Sequence, residues 1–339
     1  MHNKIIVLGS SNTDMILKVA YIPKPGETVI GGVFSTAGGG KGANQAVAAA
    51  RAGGTVTFVA RVGADMFGDQ AVEGLVKDNI NVSHVLRDAG EPSGVALIFV
   101  DDKGENSIGV ASGANGKLSP ADVQAAEEAI AEADVLIMQL ETPLDAIGEA
   151  AALGVKAGVK VILNPAPAQP LDNDLLSKVS ILTPNENEAE LLTGIAVESD
   201  ADARKAARAL AERGIAIVLI TLGPRGVFVH GDGLDELVPG FEVESVDSTA
   251  AGDVFNGALA VALAEGKPLK EAVIFANAAG ALSVTRLGAQ PSVPNREEID
   301  AFLQERGKSL GMHQSAYFGP SDRTLPNPPH VGSRSHERL

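Results

Sequence analysis

Short runs of β-branched and aliphatic residues alternate along the chain with longer, Ala-rich stretches whose apolar positions recur at helical spacing. Ile5–Leu8, Val56–Val62, Val135–Leu140, Val159–Leu163, Ile181–Leu182 and Ile217–Thr221 are continuous apolar runs. Runs without polar alternation predict strands covered on both faces, as in a parallel sheet between helical layers. Between them, Ala43–Ala52, Gln70–Asn79, Asp145–Ala157, Asp202–Arg213, Asp253–Ala264 and Leu269–Val284 carry the helical pattern. Ser119-Pro120 offers an N-cap followed by proline at the first helical position. This alternation predicts an α/β fold, a doubly wound and mostly parallel sheet with helices on both faces and right-handed crossovers.

Two segments break the pattern. Thr28–Ser35, and Val95–Val100 followed by Asn106–Val110, read as strands with no helix after them, the second pair joined by the polar turn Asp101–Glu105. Paired together they predict a small antiparallel sheet, built from about 15–35 and 94–111, that stands apart from the main sheet as a lid, a dimer surface or both. Residues 1–306 then form the α/β domain. Beyond Arg306 the chain gains Gly, Ser, His and Pro, and 307–339 is expected to be a disordered polar tail.

The composition narrows the partners. With 27 Lys and Arg against 43 Asp and Glu, the formal charge is −16. So acidic a chain has no general attraction for nucleic acid or an anionic membrane, and any polyanion must be held by local donors. No cysteine is present, which excludes a disulfide framework, a thiolate zinc site and a cysteine nucleophile. The N-terminus enters Lys4–Leu8 directly, without the pattern of a secretion signal, and the expectation is a soluble, cytoplasmic protein.

Local donors are available at Asp247–Ala258, where small residues lead into an apolar helical pattern. Ala250, Ala251, Gly252 and Asp253 should open a helix, whose free N–H groups and dipole make an anion site that needs no Lys or Arg. Asp253 would stand beside the anion, an odd place for a carboxylate unless it takes a proton from something. The alternative is an ordinary first-turn Asp complementing the dipole. Gly38–Gly42, followed by Asn44, opens another helix and permits close approach to a ligand; its spacing is neither a P-loop nor a dinucleotide fingerprint. Asn12 and Asp14 follow the first strand and Glu141 the third, where open α/β sheets bind ligands. They suit vicinal hydroxyls, and equally suit turns. Asn185 and Glu188 share one face of a helix start and could hold Mg²⁺ through its waters, or be a charged first turn. Thr221–Gly226 is a glycine-rich turn that could cover a nucleotide or be a hairpin.

In this order, the segments resemble the ribokinase family of carbohydrate kinases. The likeness runs from about Lys4 to Gln304 and rests on the Gly-Gly-Lys-Gly-Ala-Asn-Gln box at 39–45 and the Asp-x-x-Ala-Ala-Gly-Asp-x-Phe-x-Gly-Ala box at 247–258. It implies ATP-dependent phosphorylation of the 5-hydroxyl of ribose. By matched position, Asn12, Asp14, Gly39, Gly40, Lys41, Asn44 and Glu141 would grip the sugar and Asp253 would be the general base. Ala250, Ala251 and Gly252 would donate N–H groups to the moving phosphoryl. Asn185 and Glu188 would organise Mg²⁺. Thr221, Gly223, Arg225 and Gly226, with Asn277, would line the ATP site. A monovalent cation, K⁺, would sit at Asp247 and Thr249 with oxygens from Ser283, Arg286, Gly288 and Ser292. The lid strands would pair two subunits into a homodimer. Ser248 stands where relatives often carry Thr, and Asn277 where some carry His. Alternatives are a kinase for 2-deoxyribose, fructose or a nucleoside such as adenosine, and a non-catalytic sugar- or nucleotide-sensing protein on the same fold.

Overall fold

The computed structural model describes residues 3–309. Its strands are β1 Lys4–Leu8, β2 Asn12–Lys18, β3 Val33–Gly39, β4 Thr55–Gly63, β5 Asn81–Asp88, β6 Gly94–Val100, β7 Asn106–Ala111, β8 Val135–Met138, β9 Lys160–Leu163, β10 Ile181–Leu182, β11 Ile217–Thr221, β12 Gly226–Gly231 and β13 Leu234–Pro239. Nine of them form one sheet in the order β13-β12-β11-β10-β9-β8-β1-β4-β5. From β11 to β5 every pairing is parallel, and β12 and β13 add an antiparallel hairpin at one edge.

Alternate residues of each central strand enter opposite cores, as a sheet covered on both sides requires. Ile5 and Val7 pack with helices Lys41–Arg51, Ala251–Ala264 and Leu269–Ser283; Ile6 and Leu8 pack with Leu144–Ala157 and Asp200–Ala211. The chain leaves β1 to build β4 and β5 on one side, then returns to place β8 on the other. That reversal opens a crevice at the carboxyl ends of β1 and β8. Ser119 caps its helix as its sequence suggests, in a reciprocal box with Asp122.

The remaining strands form a four-stranded sheet, β3-β2-β6-β7, with antiparallel outer pairs and a parallel central pair. The strand expected over Thr28–Ser35 begins at Val33 instead and runs on to Gly39. Its glycines pair with Asn12 and Thr13, so the segment after β1 is the start of a strand and not a turn. β5 and the β12–β13 hairpin had no counterpart in the apolar runs. The final helix, Arg296–Ser309, extends into the first residues of the expected tail, and 310–339 lie outside the described residues.

Candidate active site

Two small-residue helices meet at the crevice. A Cβ at Gly257 would lie 2.6 Å from the Ala48 Cβ and 2.7 Å from the Gln45 carbonyl oxygen, so only glycine permits this approach. One turn away, it brings the side chains of Asn44 and Gln45 onto Asp253. Asn44 Nδ2 donates to Asp253 Oδ2 and Gln45 Nε2 to Oδ1, each at 3.0 Å. Asp253 is buried in the first turn of its helix, as expected. Ala250 precedes that helix in the left-handed region (φ 60°). The Ala251 N–H leans back to the Ser248 carbonyl at 3.3 Å. Gly252 and Asp253 are first-turn residues, whose N–H groups have no intrahelical acceptor.

On one side of Asp253 lies a polar cleft. Glu141 Oε2 accepts from Ser10 Oγ at 2.5 Å and from the Lys41 N–H at 3.1 Å, which ties the end of β8 to the glycine box. Gly40 adopts φ 87°, and a Cβ there would meet the backbone of Asn12 at 2.7 Å. Asn12 Oδ1 accepts from Asn115 Nδ2 at 2.7 Å, and Asn115 also bonds both backbone groups of Ser11. Asn44 Oδ1 is buried without a protein partner; an amide oxygen so placed fits a ligand hydroxyl. Asn12, Asp14, Gly39, Gly40, Lys41, Asn44 and Glu141 are thus brought together.

On the other side is an open cavity of about 770 Å³. Asn185, Thr221, Gly223, Gly226, Gly252 and Asn277 line it, as expected for a nucleotide site, together with apolar Val227, Phe241 and Val284. Arg225 does not line it, because its guanidinium is turned to Asp200 and Glu186.

Asn185 and Glu188 form a capping box. Glu188 Oε2 accepts the Asn185 N–H, and Asn185 Oδ1 accepts the Glu188 N–H, both at 2.8 Å. The charged-turn reading is what the structure shows, and the box engages only one of the two Glu188 carboxylate oxygens. Among the described residues, no cluster of three or more Asp, Glu or His has metal-ligand geometry. A divalent ion would thus be held through water and substrate phosphates, as Mg²⁺ usually is. Asp247 joins two loops, accepting from the Thr249 N–H and hydroxyl and from the Gly288 N–H. Ser283 and Ser292 are buried nearby in sequence and donate to the carbonyls of Gly280 and Ala289, which leaves their hydroxyl lone pairs as acceptors. Arg286 spends its guanidinium on Glu298, so only its backbone could serve a cation.

Four carboxylates and one ammonium share the crevice. Burial pushes the Asp253 carboxyl up; Lys41, Asn44 and Gln45 pull it down and Glu141 pushes it up, leaving it raised. Burial, then Glu141 and Asp253, raise Asp14 to about 6. Burial also raises Glu188, against its bond from Asn185 and the charge of Lys41. For Lys41 burial acts downward, but Asp253, Glu141 and Glu188 together outweigh it and hold the amine protonated. A raised carboxylate next to a polar cleft is suited to proton transfer.

From the sequence Gln45 has no role beyond membership of the 39–45 box, and Gln139, Asn164 and Asn115 have none, yet all four are buried at the site. The available signal was position: Gln139 and Asn164 are polar residues closing otherwise apolar strand runs, where the sheet opens onto the crevice.

A polar cleft and an open cavity, separated by a helix N-terminus and a buried carboxylate, are the layout of a phosphoryl-transfer enzyme. The chain belongs to the pfkB family of carbohydrate kinases, which matches residues 2–296. It is 48% identical to the ribokinase of Haemophilus influenzae over 90% of this chain and 99% of that one. Among solved structures, Thermotoga maritima ribokinase is 42% identical with a TM-score of 0.81 over 88% of this chain and 99% of its own. Arabidopsis thaliana ribokinase, complexed with ribose and ATP, is 34% identical with a TM-score of 0.83 over 90% and 99%.

Proposed function

We propose that the chain is an ATP-dependent kinase that transfers the γ-phosphoryl group to the 5-hydroxyl of D-ribose. The observation that carries this reading is the position of Asp253. Its carboxylate is clamped by Asn44 from the polar cleft, while its own helix opens onto the cavity lined by Gly252.

Asn12, Asp14, Gly39, Gly40, Lys41, Asn44 and Glu141 bind and orient the sugar. Asp253 takes the proton of the 5-hydroxyl as its oxygen bonds to the γ-phosphorus, and the bond from that phosphorus to the bridging oxygen of ADP breaks. N–H groups of the helix start at Ala250, Ala251, Gly252 and Asp253 compensate the charge of the moving phosphoryl, with in-line placement doing most of the rest. Asn185, Thr221, Gly223, Gly226 and Asn277 line the nucleotide site. Arg225 contributes its backbone to that turn. Asn185 and Glu188 would hold Mg²⁺ through its waters; the ion neutralises phosphate charge when bound. Asp247 and Thr249, with oxygens of Ser283, Arg286, Gly288 and Ser292, would hold K⁺, fixing the loop that precedes the anion-binding turn.

Ile108 and Val110 are exposed on edge strand β7, and Val33 on edge strand β3. By register they share the face of the small sheet that carries Asp14 and Ile16. This apolar face supports a homodimer that pairs the two lids. No helix of the described residues is long and apolar enough to cross a membrane, and an ATP-consuming sugar kinase works where ATP is made, in the cytoplasm.

An ADP-release assay across ribose, 2-deoxyribose, fructose and adenosine tests the acceptor. Ribose is expected to have the highest kcat/KM, and equal or better turnover of another acceptor reassigns the enzyme. Asp253→Asn should lose turnover by orders of magnitude while ATP still binds.

A further inference from the structure

Asn44 and Gln45 are neighbours on one helix, so their side chains leave it about 100° apart. Both nevertheless end on Asp253, one on each carboxylate oxygen. Asn44 reaches it from the sugar cleft. Gln45 is completely buried and belongs to a second layer of amides behind the carboxylate. Its Nε2 also donates to Asn164 Oδ1 at 3.1 Å, while its Oε1 accepts from Gln139 Nε2 at 2.7 Å. Asn164 is in turn anchored by Nδ2 to the Thr183 carbonyl at 3.1 Å.

The polarity of this chain follows from one end. A carboxylate only accepts, so Gln45 must present its nitrogen to Asp253 and its oxygen to Gln139. Gln139 must then donate, which turns its own Oε1 to a place where it has no partner. A Cβ at Gly9 would lie 2.1 Å from that oxygen, so the side chain is wedged where it stands. A buried, unpaired amide oxygen is costly. The fold tolerates one in the orientation that keeps the Gln45 nitrogen on Asp253.

We propose that Gln45 is a positioning residue for Asp253, locked by Gln139 and Asn164 so that its amide nitrogen fixes the aim of the carboxylate at the sugar hydroxyl. This rests on the reading of Asp253 as the base. Gln45 would act through Asp253 alone, since Asn44, not Gln45, faces the cleft. A donor on a carboxylate also favours its charged form, so the same bond holds Asp253 ready to accept a proton. The charged groups facing Asp253 are Lys41 on the helix of Gln45, Glu141 after β8, Asp14 on β2 and Glu188 in its capping box.

The test is the pH profile of kcat for the full chain with ribose and ATP. kcat is used because Asp14 enters through sugar binding and therefore through KM. Gln45→Met keeps the volume and removes the donor. The acid limb should move up by about one pH unit, as expected for a lost hydrogen bond to a charged group. kcat at pH 7 should fall roughly tenfold or more, with the ribose KM within about threefold. Gln139→Met, which never touches Asp253, should move the limb the same way by less. A Gln45→Met protein that melts cooperatively and keeps the wild-type limb overturns the proposal. If Gln45→Met does not fold, Gln139→Met decides alone, an unmoved limb overturning the relay. Asp253→Asn separates the two readings. Retained turnover in that variant removes the base itself, whereas its loss, combined with an unmoved limb in the glutamine variants, removes only the relay.

Discussion

Gly39 and Asp14 stand on the paired strands β3 and β2 so close together that a Cβ on Gly39 would come within 2.2 Å of Asp14 Oδ1. The missing side chain makes room for the carboxylate. The atom that would clash is the end of a rotatable side chain, not backbone, so the sheet can survive a substitution that the cleft cannot. Gly39→Ala is therefore expected to fold with little loss of melting temperature. The ribose KM should rise by about tenfold or more, the loss of one charged hydrogen-bonding group. Combining it with Asp14→Ala should add little further, because both remove the same interaction.

Asp14 is held at about 6 by burial and by the nearby Glu141 and Asp253. Its ordinary value is 3.8, so the folded state binds the proton more tightly than the unfolded chain. Stability is then lost as pH rises from about 4 through 6, and the loss is complete above that range. Asp14→Asn should match the wild type near pH 4 and exceed it by about 3 kcal/mol at pH 8. The same variant should bind ribose poorly. In the wild type, the ribose KM should climb as pH falls below about 6. Thermal or urea unfolding at the two pH values, beside sugar titrations, checks both halves.

At Gly252 an added Cβ meets nothing within 4 Å, and the residue lines the nucleotide cavity. Protein packing does not need a glycine there; on our reading the phosphate does. Gly252→Ala should leave the melting temperature unchanged within about a degree or raise it, since alanine favours helix. kcat should fall by about a hundredfold, comparable with losing one oxyanion donor. Normal turnover in this variant would falsify the placement of the phosphoryl group at this turn.

Asp247 is held below the usual carboxylate range, since its bonds from Thr249 and Gly288 and the charge of Lys18 outweigh burial. It is therefore ionised at neutral pH, the charge state that the proposed cation site needs. Rates should be higher in K⁺ buffer than in Na⁺ alone, and Asp247→Asn should abolish that difference. Identical rates for the wild type in both buffers would count against the cation site.

The central sheet was legible because its strands are buried on both faces and so read as unbroken apolar runs. β5, Asn-Val-Ser-His-Val-Leu-Arg-Asp, and β13, Leu-Asp-Glu-Leu-Val-Pro, lie at the two edges of that sheet. Half-exposed, they carry charges that blur the pattern. β3 was misplaced because its last residues are glycines, which have low strand preference and are held there by pairing with β2. The individual pieces of the site were legible as local strings. The amides behind Asp253 were not, since Gln45, Gln139 and Asn164 meet only across 94 to 119 residues of chain. Asn115 reaches Ser11 and Asn12 across a similar gap.

If the phosphoryl group is held as proposed, a cradle of main-chain groups at Ala251–Asp253 cannot be erased by exchanging one side chain for another, nor by acetylating a lysine. Such a grip would be set by helix geometry, so ordinary sequence drift at these positions would alter how closely a guest can approach without changing the field it meets. Proline is the one replacement that strips out a donor, and a single proline at 252 would disable the turn more thoroughly than any change of charge.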